Sequence, residues 1–391
     1  MRRICYFGIV MIVLISQVAI AQTGDSLQGE EFILRRQVDG SNEHLVLWLN
    51  SGTGEITEVH RTFIYPSSRS EPQALHWSPD GDIFYYVSDG EIFSKSGQNA
   101  TPVNLSHTPD VIEESIFVSP DGAHITFFAY SEQERYLNVM NSDGTNKQRI
   151  LDVIFPQIFV AWSPDSSRFA FANDFDGVYV TDVDDVNTRN VYNEISTGIF
   201  SPDGRYLLVS SLESLGQLVH IDLQTGVMRV LLDSISQPYR FPVPSPTVEW
   251  IAVLNFINSR QPDLNMVNAN SGEVRIAAES LFSNSTTLWS PDGENVLFIG
   301  ESADNGVLDA WVYAVASDEA TMITRDLRLL NPEAELDTDS FIWSPDGTKL
   351  AFHTVQDNRA QLYFVDADGE NLTTLNYGDA QFDDRIISWR P

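Results

Sequence analysis

Apolar and polar positions alternate along this chain in short runs, and the runs recur in a fixed order. A first apolar run ends on a bulky residue, as in Ser115-Ile116-Phe117-Val118 or Phe341-Ile342-Trp343. A second follows a few residues later: Ile125-Thr126-Phe127-Phe128, Phe169-Ala170-Phe171, Tyr206-Leu207-Leu208-Val209, Leu350-Ala351-Phe352. A third is Leu137-Asn138-Val139-Met140, Val178-Tyr179-Val180, Leu218-Val219-His220-Ile221 or Leu362-Tyr363-Phe364-Val365. Turn residues such as Asn141-Ser142-Asp143-Gly144 and Asp366-Ala367-Asp368-Gly369 come next, then a more polar fourth run. Length, β-branched and aromatic content and flanking turns make these strands. No segment holds a 3.6-residue apolar period over three turns, so the pattern predicts an all-β chain.

Between the first and second runs stands a repeated phrase. It reads Trp77-Ser78-Pro79-Asp80-Gly81, Val118-Ser119-Pro120-Asp121-Gly122, Trp162-Ser163-Pro164-Asp165-Ser166, Phe200-Ser201-Pro202-Asp203-Gly204, Trp289-Ser290-Pro291-Asp292-Gly293 and Trp343-Ser344-Pro345-Asp346-Gly347. A weaker copy is Val243-Pro244-Ser245-Pro246-Thr247, and an eighth is cut short at Ser388-Trp389-Arg390-Pro391. Successive serines lie 41, 44, 38, 44, 45 and 54 residues apart. Pro presets φ for the first central position of a β-turn, Asp suits the second, and Gly accepts φ > 0 at the exit. Four short strands per unit, joined by tight turns, predict a β-propeller of four-stranded blades. Counting first strands gives eight blades, or seven if the Pro244-Pro246 copy is not a blade. The C-terminal strand, Phe382 to Pro391, is expected to complete a blade begun by three N-terminal strands, which removes two exposed edges. A single domain then fills residues 31–391, after a linker at 22–30.

The aromatic-Ser-Pro-Asp-Gly phrase followed by an Asp/Asn-x-Asp-Gly turn resembles the TolB-type (WD40-like) β-propeller repeat, over nearly the whole chain beyond residue 30. The resemblance implies an exported protein that binds other proteins. The same repeat also occurs in the propellers of prolyl-oligopeptidase-like enzymes and in an oligogalacturonate-lyase family. TolB itself has a separate α/β domain ahead of a six-bladed propeller, whereas only Gln22 to Glu30 precede the first strand here, so the resemblance is to the repeat family and not to TolB.

Composition narrows the function classes. The 391 residues carry 55 Asp+Glu against 23 Lys+Arg, a formal charge of −32, with 42% hydrophobic residues. That apolar content builds a core and excludes an acidic disordered chain. The charge excludes nucleic acid, whose phosphates are bound by Lys and Arg, and disfavours an anionic membrane surface. Residues 1–21 read as a signal peptide: Arg2 and Arg3, an apolar stretch from Cys5 to Ile20, and a small-x-small site at Ala19-Ile20-Ala21. Cleavage there removes the only cysteine, hence any disulfide or thiolate chemistry, and leaves no membrane span. The protein is expected outside the cytoplasm, periplasmic or extracellular, as a monomer.

Catalytic motifs are few. No Gly-x-Ser-x-Gly, P-loop, dinucleotide fingerprint or His-Glu-x-x-His occurs. The seven histidines are dispersed over different blades and read as strand imidazoles, and the Asp-Gly pairs read as hairpin turns, not calcium loops. No cofactor is expected. The positions four to six residues before each phrase should ring one mouth of the central channel. They are Glu71, Glu113, Glu114, Asp337, Asp339, Asp383 and Asp384, with Tyr239, Arg240 and Arg385 interleaved. Like charges around a cleft focus its field and attract a basic peptide or a divalent cation. The expected function is non-catalytic binding of a protein or peptide partner through this loop face. The alternatives are a lyase or hydrolase acting on envelope or extracellular glycans at the channel mouth, and a structural or assembly component of the envelope.

Overall fold

In the computed structural model the described residues are 31–37, 43–50, 55–63, 75–96, 100–131, 134–152, 160–173, 177–194, 196–211, 217–233, 242–247, 249–255, 261–281, 287–301, 308–325, 327, 335–336, 341–356, 359–375 and 384–389. The predicted signal peptide and linker lie outside them. The strands form eight antiparallel sheets around a propeller. Blades 1 to 7 start at Leu75, Ile112, Val160, Ser196, Val243, Thr287 and Glu335, and each runs outward in chain order. First strands of adjacent blades touch one another, which puts them innermost. The weak Pro244-Pro246 copy does open a true blade, blade 5, so the count is eight. Blade 7 departs from the four-strand plan. Its first strand is split into Glu335–Leu336 and Ile342–Trp343, both paired with Lys349–Gln356. The extra length of the 54-residue step lies in this neighbourhood.

Blade 8 is composite, as expected. Asp384–Trp389 pairs with Glu31–Gln37, which pairs in turn with Glu43–Asn50 and Glu55–Phe63. Trp389 lies opposite Phe32 and is buried among Phe32 and Phe364, with ring centroids 4.7 and 5.9 Å away. Chain closure therefore rests on burial of aromatic surface as well as on ladder hydrogen bonds.

The repeated turn owes its rigidity to its serine. Every phrase serine, Ser245 of the weak copy included, is buried. In the copies that carry the aspartate, its hydroxyl donates to the Asp carboxylate two residues on, at 2.6 Å for Ser119, Ser163, Ser201 and Ser344. The same oxygen accepts the backbone N–H five residues on, at 2.9–3.0 Å, and the Asp carboxylate accepts the N–H two residues beyond itself. At Asp80 the Ser78 hydroxyl and the Asp82 N–H hold the carboxyl below its usual range. At Asp121, Asp165 and Asp346 burial pulls the other way, and the hydrogen bonds outweigh it. A buried hydroxyl is satisfied on both sides, so nothing is left to penalise its burial.

These turns abut from blade to blade. The Asp121 N–H donates to Ser166 Oγ in the next blade at 3.0 Å, and Arg168 reaches Gly204 O at 2.8 Å. A Cβ added at Gly293 would lie 2.2 Å from Thr247 Oγ1 and 2.3 Å from Ser245 Oγ, both in the preceding blade. Farther out, scarce cations bridge the blades. Arg189 donates to Leu223 O at 3.1 Å, and Arg229 to Asn270 O and Ser271 O at 2.7 and 3.2 Å. Tryptophans fill the seams between: Trp162, Trp289 and Trp343 donate their indole N–H to Phe117 O, Val243 O and Leu288 O of the blade before, at 3.2, 2.7 and 3.2 Å.

Two substitutions test this arrangement. Gly226 and Gly293 have nearly the same φ, +72° and +73°, but nothing lies within 4 Å of a Cβ at Gly226. Gly226→Ala should cost about 1–2 kcal/mol, the left-handed penalty alone, and Gly293→Ala clearly more in urea unfolding; equal losses would mean the turns do not press together. Trp389→Ala should lower stability by about 3–5 kcal/mol, and a loss under about 1 kcal/mol would show that closure does not depend on this ring.

Candidate functional site

Of the ten residues expected at the channel mouth, Glu71, Tyr239, Arg240, Asp337, Asp339 and Asp383 lie outside the described residues. Asp384 and Arg385 lie in the closing strand opposite Arg36 and Arg35. Glu113 and Glu114 are adjacent in the first strand of blade 2, Ile112–Val118, where the register slips after Glu114 and Ser115 takes φ 54°. Glu113 is 1% exposed. Its Oε1 accepts from Thr108 Oγ1 at 2.6 Å, with Lys147 Nζ at 3.5 Å, while its Oε2 has no hydrogen-bond partner. It is an interior group of the seam between blades 1 and 2. Burial pushes the Glu114 carboxyl upward, against a Tyr130 hydrogen bond and the Arg135 charge. The described residues thus bring these two acids to one end of blade 2 in different surroundings. Among them no three of His, Cys, Asp and Glu converge on a metal position, and no helix is long and apolar enough to cross a membrane.

An opening lies elsewhere, between blades 4 and 5. In blades 3, 6 and 7 the residue before Ser is a tryptophan whose indole reaches a carbonyl of the preceding blade. In blade 5 that residue is Pro244, which has neither the bulk nor an N–H to give. A cleft of about 280 Å³ occupies this place, lined by Pro202, Asp203, Tyr206, His220, Pro244 and Glu249 among others. His220 is 8% exposed and stacks on Tyr206 with centroids 4.0 Å apart. Its Nε2 is buried without a hydrogen-bond partner. Burial, and secondarily the Arg229 cation, hold its pKa below the ordinary value, so the ring is neutral near pH 7. Glu249 is exposed at the edge of the cleft.

The same sector carries an apolar rim. The outer strands of blades 4 and 5, Met228–Leu232 and Val274–Ala278, are sheet edges. Val227, Met228, Val230, Val274 and Ile276 are 43–64% exposed there. The outer strand of blade 3 reads Asn-Thr-Arg-Asn-Val-Tyr, that of blade 6 Glu-Ala-Thr-Met and that of blade 7 Thr-Thr-Leu, which are more polar. Sequence reasoning missed this sector. The signals were present: a phrase copy with proline before its serine and no aspartate after it, and apolar residues in fourth strands that are otherwise polar.

Comparisons with known proteins place the fold. No family model matches the chain. An uncharacterized protein of Agrobacterium fabrum is 25% identical over 251 residues, 58% of this chain and 84% of that protein. Among solved structures, a dihydro-heme d1 dehydrogenase, NirN, aligns with TM-score 0.60 at 15% identity over 93% of this chain and 76% of its own. A prolyl endopeptidase aligns with TM-score 0.55 at 10% identity over 95% of this chain; the chain spans about half (51%) of that enzyme. An oligogalacturonate lyase with manganese gives 0.51 at 13% identity, over 87% and 86% of the two chains. The strand order defines an eight-bladed β-propeller as the class of this protein, and at such identities these likenesses bear on the propeller fold alone.

A group whose folded pKa is lowered contributes stability that is complete above its unfolded pKa and lost as pH falls. For His220 that loss begins near pH ~6.5. The melting temperature of the protein should therefore drop on acidification from pH about 7.5 to about 5.5, and His220→Gln should drop less. An identical decrease in both would mean that His220 is not held neutral by its surroundings.

Proposed function

We propose that this protein is an exported, non-catalytic binding propeller that holds an extended segment of a protein or peptide partner along blades 4 and 5. The observation that carries the reading is the pair of adjacent outer strands with exposed Met228, Val230, Val274 and Ile276. A sheet edge presents unpaired N–H and C=O groups, and a partner strand adds to it with main-chain hydrogen bonds while alternate side chains supply specificity. The formal charge of −32 selects the partner's chemistry. A second copy of the chain is repelled, and a segment that alternates apolar and basic residues is attracted. The chain's excess of acids, Glu71, Asp337 and Asp339 among them, adds to that attraction, and a divalent cation would compete with it.

Selection from a random peptide library tests this. Enriched peptides should alternate apolar residues with Lys or Arg, and the double variant Met228→Glu, Ile276→Glu should bind them at least about tenfold more weakly, ~1.4 kcal/mol, while melting like the parent. Undiminished binding by the double variant would overturn the reading. Depolymerisation of a glycan by the unaltered protein would replace it with the enzymatic one.

A further inference from the structure

Among the described residues, the seam between blades 4 and 5 has a core without an aromatic ring. Its buried cluster is Leu208, Leu218, Ile251, Val253, Val267 and Ala269, all aliphatic. Each of the other seven seams buries at least one Phe, Tyr or Trp. The residue before the phrase serine supplies a ring to six of them: Trp77, Trp162, Phe200, Trp289, Trp343 and Trp389. Blade 2 has Val118 at that position, and there Tyr85 of blade 1, 1% exposed, stands in. Tyr85 lies seven residues after its phrase serine, and the residue at the same place in blade 4 is Leu208. With Pro244 on one side and Leu208 on the other, both sources of a ring fail in the same seam.

Interiors pack close to crystal density, so a missing ring shows as space. The cleft of about 280 Å³ lies here, with Pro202 and Leu208 on one wall and Pro244, Ile251 and Ala269 on the other. Its walls belong to two facing sheets, which makes it a slot, and planar side chains fill the slots elsewhere in the ring. Tyr206 and Trp250 stand at its sides but are already engaged. Tyr206 is stacked on His220 and covered by Arg205, and Trp250 is covered by Arg275.

Charge at the mouth selects what accompanies the ring. The slot opens between two phrase turns, where Asp203 of blade 4 and Glu249 of blade 5 are exposed. Arg205 close by is paired with Asp222 at 2.9 Å. Basic residues next to the incoming ring are therefore attracted and acidic ones repelled. The slot also runs into the apolar rim: Ala269 and Asn270 line it, and their hairpin leads directly into the outer strand Val274–Ala278.

We propose that this slot receives an aromatic side chain of the partner segment, an indole by the template of the neighbouring seams, with Lys or Arg beside it in the partner's sequence. The partner supplies from outside the ring that Trp162, Trp289 and Trp343 supply from within the chain. Burial of the ring against Leu208, Ile251 and Ala269 provides the affinity, and Asp203 and Glu249 provide the preference for basic neighbours. The inference rests on the binding function proposed above and names its anchor residue.

The experiment needs no natural partner. The full chain, ¹³C-labelled at isoleucine methyl groups, is titrated with N-acetyl-tryptophan amide and, as control, N-acetyl-leucine amide. The Ile251 resonance is identified by its loss in Ile251→Val. The expected result is a saturable shift of that resonance with the tryptophan compound, at least about fivefold weaker with leucine. Pro244→Trp and Leu208→Tyr copy the rings of blades 6 and 1 into this seam, and each should abolish the response; if one misfolds, the other decides. Glu249→Lys should weaken binding of N-acetyl-Lys-Trp-Lys amide and leave that of N-acetyl-tryptophan amide unchanged. No Ile251 shift, an equal response to leucine, or an undiminished response in a folded slot-filling variant overturns the inference, and equal binding of the tripeptide by Glu249→Lys overturns the role given to the acids. Library peptides that bind without an Ile251 shift overturn the anchor and leave the rim reading standing. An Ile251 response to the tryptophan compound together with undiminished peptide binding by Met228→Glu, Ile276→Glu overturns the rim and leaves the slot.

Discussion

The structure depends on one recurring contact, found in six of the blades: a buried serine hydroxyl that donates to an aspartate and accepts a backbone N–H, locking the turn at the end of the innermost strand. The turn matters beyond its own blade because its last residue presses on the turn before it. Gly347 would place a Cβ 2.8 Å from Asp292 Oδ2, and Gly122 would place one 3.0 Å from Pro79 Cδ. Positive φ and close approach act together, so glycine is required twice over. Ser166 replaces glycine in blade 3 at φ 60° and recovers the cost by accepting the Asp121 N–H across the seam. The ring of turns sets the spacing of the blades near the axis, and arginines set it at the periphery.

Blade 5 is where that scheme is relaxed. Ser245 has no aspartate two residues on; it reaches Gly293 O in blade 6 at 3.3 Å instead. Its neighbour Pro244 offers nothing to blade 4. One seam thereby carries a cleft, a buried imidazole without a donor and, at the rim, apolar edges. Stability is given up at one place in an otherwise repetitive ring, and such places are where function resides in repeat architectures.

Much of this was legible in the chain. The phrase Ser-Pro-Asp-Gly recurs with a spacing that only a repeat explains, and the truncated copy at Trp389 announced closure. The blade made by Pro244 was legible as a weaker copy, though its consequence was not, because a missing side chain has no signature until its neighbours are placed. The acids at Glu113 and Glu114 illustrate the opposite failure. Both precede a phrase, but a register slip at Ser115 decides which way each points, and Thr108 and Lys147 come from other segments to claim Glu113. The arginine clamps were hidden for a similar reason: their acceptors are backbone carbonyls, which every residue has.

The central claim is that recognition belongs to the seam between blades 4 and 5. Hydrogen–deuterium exchange of the full chain, with and without a library-selected apolar-basic peptide, addresses it directly. The account predicts slowed exchange confined to segments 227–232 and 274–278 and to the strand of His220. Protection concentrated on the loops that precede the phrases, with these segments unchanged, would contradict it and return the site to the channel mouth.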